Sequence, residues 1–150
     1  MLDARGRVGA EGPLFDPAGG PTLVITTDAA PAAAVAAWGA AGAKVETVPA
    51  GPGGGVDLAA ALDLLGGGRE GFVQVLVEGG ATLLGALLGG GHAQRLVVYV
   101  APLLLGARGL PGFLLDGPPT LGAADRYRLA GVRPLGPDVR LDYVLAPEAA

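Results

Sequence analysis

The chain has 150 residues, a net charge of −4 and a pI near 4.8. That length fits one domain with a real core, and with no basic stripe along it no nucleic-acid partner is expected. It has no cysteine and a single histidine, His92, which excludes disulfides, thiolate chemistry and zinc sites of the Cys/His type; the carboxylates are scattered, so no metal is expected.

In chain order, residues 1–21 carry few apolar residues and many breakers, and read as a loop after a strand stub at Met1-Leu2. "TLVITT" (22–27) is a β-branched run and predicts a strand. Asp28 can cap the helix that follows, with Pro31 in its first turn. Residues 30–42 predict a helix whose buried face carries Val35 and Trp38, three apart. Gly42 can end it in a left-handed turn. "AKVETV" (43–48) predicts the next strand. After the loop "PAGPGGG", Asp57 caps a second helix over 58–65. "FVQVLVEGG" (72–80) is the most strand-like run, and 81–90 predict a short helix. "RLVVYVAPLLLG" (95–106) begins as a strand that Pro102 stops, since proline donates nothing to a ladder. Residues 107–124 are a Gly/Pro loop. Residues 126–136 and 138–147, joined by "LGPD", predict an antiparallel hairpin. In its second arm Val139, Leu141, Tyr143 and Leu145 take one face, and Arg140, Asp142 and Val144 the other.

The order β-α-β-α-β-α-β-β-β implies an α/β fold: a mixed, mostly parallel sheet with flanking helices and an antiparallel end. No repeat and no linker divides it, so 1–150 is expected to be a single domain. No stretch of about 18 strongly apolar residues runs without Gly, Pro or charge. The N-terminus lacks the apolar core of a signal peptide. A cytoplasmic protein without a membrane partner is expected.

Chemistry concentrates at "VEGG" (77–80). A strand, two glycines and a helix form an anion-binding geometry, because the first helical turn has free N–H groups and a positive dipole end. A pyrophosphate can sit over Gly79 to Thr82, with the Thr82 hydroxyl as a further donor. The same pattern also describes a plain tight turn. It is not the G-x-G-x-x-G fingerprint, so no Rossmann claim follows. Glu78 repels a phosphate. It suits a sugar hydroxyl or ring N–H at the carboxyl end of a strand; a local cap or salt bridge is the other reading, and the pattern leaves both open.

"VQVLVEGGATLLGALLGGGHAQRLVVYVAPLLLGARG", with "MLDARGRV" (1–8) before it and "GPDVRL" (136–141) after it, resembles the reductase domain of the bifunctional riboflavin-biosynthesis deaminase/reductase proteins. The marks are a strand ending V-E-G-G, a short helix, and a strand ending A-P-x-L-L-G. The resemblance implies a dihydrofolate-reductase-like fold and NADPH as cofactor. It implies hydride delivery to C1′ of the ribosyl group of a phosphoribosylamino-pyrimidine, giving the ribityl product. Glu78 would bind substrate. Gly79, Gly80, Ala81, Thr82, Leu83, Leu84, Gly85 and Ala86 would bind the cofactor, together with the position after "LD". That position usually offers a hydroxyl, but here it is Ala4; Arg5 or Arg7 can supply charge in its place or simply be solvated. The family's domain has further chain before "VLD", so the match is to its later part, and a homodimer would cover the edge left open.

The remaining polar residues carry less. Thr26 and Thr27 are candidates to line the adenosine side of the cofactor. His92 is expected on the surface, Trp38 and Tyr99 in packing, and Asp116 and Asp125 in solvated loops. With one histidine, no Ser/His/Asp arrangement is available, and no catalytic side chain is assigned. Two other readings stand beside the riboflavin reductase: a non-catalytic nucleotide-binding or assembly module, and an NADPH reductase of another carbonyl substrate.

Overall fold

The computed structural model describes residues 1–67, 71–117, 120 and 127–146. They fall into two units, Met1–Val75 and Leu76–Ala150.

In the first unit the β-branched run forms β1 (Leu23–Thr26), which pairs in parallel with β2 (Lys44–Thr47). Helix α1 (Ala32–Ala40) makes the crossover between them. The expected stub at the start is a single parallel bridge from Leu2 to Ile25. Successive side chains of a strand point to opposite faces, and β1 uses both. Val24 packs with Phe15, Trp38 and Ala43, while Ile25 packs with Val48 and Ala61. Ala61 belongs to α2 (Leu58–Gly66), so α1 and α2 lie on opposite faces of this sheet. The Asp57 carboxylate accepts from the Ala60 N–H at 2.9 Å, as an N-cap should. Gly42 follows α1 with φ +88°, the left-handed end expected. The expected cap from Asp28 is absent: α1 starts after Pro31 with no side-chain cap. The neighbouring Thr27 hydroxyl accepts from the Ala29 N–H instead, at 3.2 Å.

In the second unit α3 (Ala81–Gly89) is followed by a three-stranded antiparallel sheet ordered β3-β5-β4. Its strands are β3 (Arg95–Val100), β4 (Tyr127–Leu135) and β5 (Asp138–Leu145). The predicted hairpin is β4–β5, with Leu135 opposite Asp138. Gly136 takes φ +60° in the two-residue link, which a side chain would resist. Pro134 sits in β4, at a sheet edge, where its missing N–H is tolerated. Directly opposed residues share a face, so Arg95, Tyr99, Arg128, Arg133, Arg140 and Asp142 line one side of the sheet.

On that side Arg140 donates to Asp142 Oδ1 through Nε at 3.1 Å and Nη2 at 2.6 Å. The Asp142 side chain retains 13% exposure. The hydrogen bond from Arg140 holds the Asp142 pKa below the ordinary carboxylate value, and the charges of Arg140, Arg133 and Arg95 act the same way. A carboxyl depressed in the folded state stabilises above its unfolded pKa, and that contribution is lost as pH falls through the folded one. We therefore expect the urea midpoint to drop as pH falls below the ordinary aspartate range. The drop should be smaller in Asp142→Asn; the same slope in both proteins would exclude this group as the cause.

Two further expectations fail. Residues 72–80, the most strand-like run in the sequence, join no ladder among the described residues, and Val73 and Leu76 are 103% and 78% exposed. A continuous Val/Leu run is the pattern of a strand covered on both faces, and strand propensity is realised only against neighbours. None of the described strands pairs with it. Tyr99, expected in packing, is 63% exposed, because it lies on the arginine-lined side.

Candidate functional site

Helix α3 begins immediately after "VEGG". Gly80 is its N-cap, with φ −76° and ψ 173° and no side chain to cap the turn. The first backbone bond of the helix runs from the Leu84 N–H to the Gly80 carbonyl at 3.1 Å. The N–H groups of Ala81, Thr82 and Leu83 thus have no acceptor among the described residues, the ordinary state of a helix start that awaits water or an anion. Gly80 and Thr82 are exposed and Ala81 is half-buried. A side chain at Gly80 would meet nothing within 4 Å, so ligand atoms can approach its backbone. Gly79 has a different reason to be glycine: a Cβ there would lie 2.7 Å from Leu83 Cδ2.

Glu78 precedes this turn and is exposed. Among the described residues its carboxylate has neither an ion pair nor a hydrogen-bond partner. Leu83 and Leu84 are half-buried, Gly85 is buried and Ala86 is exposed.

Ala4 belongs to the first unit, in a loop organised by a residue that the sequence reading passed over. Asp3 is 5% exposed. Its carboxylate accepts from the Arg5 N–H at 3.2 Å and the Val8 N–H at 2.7 Å. An Asp bonding its own backbone two residues on is a turn signal that could have been read from "LDAR". The hydroxyls of Thr26 and Thr27 bond the Asp3 and Ala4 carbonyls, each at 2.7 Å. They support the loop from beneath rather than offering free donors. Arg5 donates to the Gly53 carbonyl at 3.3 Å and Arg7 is exposed.

His92 is half-buried against Gly90 in the turn that closes α3. Asp116 is exposed and Asp125 lies outside the described residues. No group of three His, Cys, Asp or Glu among the described residues can hold a metal, and no described helix is long and apolar enough to cross a membrane. A surface hollow of about 290 Å³, lined by Phe15, Asp16, Thr22 and Gly42 among others, contains none of the candidate residues.

Residues 1–141 match the family model of the RibD C-terminal domain. The riboflavin biosynthesis protein RibD of Escherichia coli is 43% identical over 79 residues, which is 51% of this chain and 21% of that protein. RibD of Chlamydia pneumoniae is 31% identical over 150 residues, 99% of this chain and 38% of that protein. A solved structure of Acinetobacter baumannii RibD superposes with a TM-score of 0.69 at 26% identity, covering 96% of this chain and 36% of that one. A pyrimidine reductase-like protein from Corynebacterium diphtheriae shares the fold, with a TM-score of 0.72 at 20% identity over 97% of this chain and 60% of its own. The chain therefore spans well under half the length of these RibD relatives, and it belongs to the RibD C-terminal domain family.

Proposed function

We propose that this chain is a single reductase domain of riboflavin biosynthesis that uses NADPH to reduce the ribosyl group of a phosphoribosylaminouracil to ribityl. The observation that carries the reading is the uncapped start of α3 behind an unpaired Glu78, in a chain whose residues 1–141 match a reductase family. The cofactor, when bound, supplies the hydride. The chain's own residues bind and orient. The N–H groups of Ala81 to Leu83 and the Thr82 hydroxyl hold the pyrophosphate, with Gly80 giving close access; Gly85 is buried against the Leu114 backbone and shapes the helix without contacting the cofactor.

Glu78 accepts hydrogen bonds from the polyol hydroxyls of the substrate. Its charge would oppose a phosphate at the same place, so it orients the ribosyl carbon and leaves the anion to the helix start. The sequence offers no side chain suited to proton transfer at this turn besides Glu78. A cytoplasmic homodimer belongs to this reading. Exposed Leu103, Leu104 and Leu105, 70–103% accessible, form an apolar stretch that association would cover.

The test is a titration with NADPH followed by cofactor fluorescence. Saturable binding is expected, followed by cofactor oxidation when the pyrimidine substrate is added. No binding at millimolar cofactor would remove the enzyme reading. Binding without turnover would favour a non-catalytic nucleotide-binding module, a reading that the missing hydroxyl at Ala4 supports.

A further inference from the structure

We propose that the backbone at Leu114 is a positioning element for the helix start on α3, and that residue 85 is glycine in order to admit it. The Leu114 N–H donates to the Ala81 carbonyl at 2.9 Å. A Cβ at Gly85 would lie 1.8 Å from the Leu114 carbonyl oxygen, 2.4 Å from its carbon and 2.9 Å from its nitrogen. Ala81 and Gly85 are four apart and share one face of the helix. The chain at Leu114 therefore runs along the first turns of α3, in contact at two levels. The obstacle is backbone, which cannot rotate aside as a side chain can.

Glycine is a poor residue for a helix interior, and nothing within α3 itself asks for one at 85. Gly89, at the end of the same helix, has nothing within 4 Å of its would-be Cβ. The contact with Leu114 distinguishes the two. The segment at Leu114 leaves the N–H groups of Ala81 to Leu83 uncovered; it grips the helix by a carbonyl and a bare Cα. It fixes where those donors point without occupying the place they point to. That makes it a positioning element in binding, one that touches neither cofactor nor substrate.

The proposal rests on the NADPH reading and is tested so that the two can fail separately. Gly85→Ala should weaken NADPH binding by about tenfold or more, since small displacements of a preorganised site carry large penalties, while Gly89→Ala binds as wild type. In turnover, the KM for NADPH should rise in Gly85→Ala more than kcat falls, a split that general loss of fold does not produce. Wild type and Gly85→Ala binding NADPH alike would overturn the positioning role and leave the cofactor reading intact. Failure of wild type to bind would overturn the cofactor reading, and the positioning role with it. Should Gly85→Ala not fold, amide exchange in wild type decides. The Leu114 N–H should exchange more slowly with NADPH present, and equal exchange with and without it would overturn the proposal.

Discussion

Replacing Glu78 by glutamine is expected to lower kcat/KM for the pyrimidine substrate about 10- to 100-fold, the range for losing charge-assisted hydrogen bonds. The dissociation constant for NADPH should change by less than about threefold, because uncharged donors on α3 hold the cofactor. Glutamine keeps the shape and one acceptor oxygen but removes the negative charge, so the variant isolates the charge. Steady-state kinetics in both substrates and a separate NADPH titration give the two numbers. Equal losses in both would contradict the division of labour between Glu78 and the helix start. Tighter NADPH binding in the variant would show that the carboxylate lies closer to the cofactor phosphates than this division allows.

The largest effect on stability should come from Trp38→Ala, at about 3–5 kcal/mol, as for other buried aromatic truncations. Trp38 is fully buried and is the largest side chain between α1 and the parallel sheet. Its Nε1–H also donates to the Val8 carbonyl at 2.9 Å, so the variant leaves a cavity and an unpartnered acceptor. Since domains retain only about 5–15 kcal/mol in total, the variant should sit near its threshold. Trp38→Phe keeps most of the ring and should cost about 1–2 kcal/mol. Far-UV circular dichroism in urea measures both, since each variant removes the sole tryptophan. A loss below about 1 kcal/mol for Trp38→Ala would mean that this cluster does not carry the first unit. The Val8 bond also ties down the end of the loop that Asp3 organises, so the variant should loosen the loop carrying Ala4.

Features set by near neighbours in the chain were legible from the residues alone. Asp57 caps its helix, Gly42 turns left-handed, Gly136-Pro137 closes the hairpin, and β5 alternates as its pattern requires. Each depends on a few adjacent residues, whose φ preferences and donors are written in the sequence. The start of α3 at "VEGG" was legible for the same reason, and the resemblance extended it to a family that the comparison over residues 1–141 bears out.

What needed the tertiary structure is what depends on a partner far along the chain. "FVQVLV" has every local property of a strand, yet a ladder requires a neighbour at the right spacing, and no described strand provides one. Thr26 and Thr27 are candidates from the sequence to line the adenosine side of the cofactor, but their hydroxyls bond the carbonyls of Asp3 and Ala4, 23 residues away. Glu78 reads from the sequence as either a local bond or a ligand contact, and among the described residues it is bonded to nothing. The resemblance counts Gly85 among the cofactor residues, and only the backbone of Leu114 against it shows why a Cβ cannot be there. The sequence by itself determined the helix start, its glycines and its carboxylate, because their geometry is local; which groups remain available to a ligand was decided by packing, because availability depends on what distant residues have already bonded.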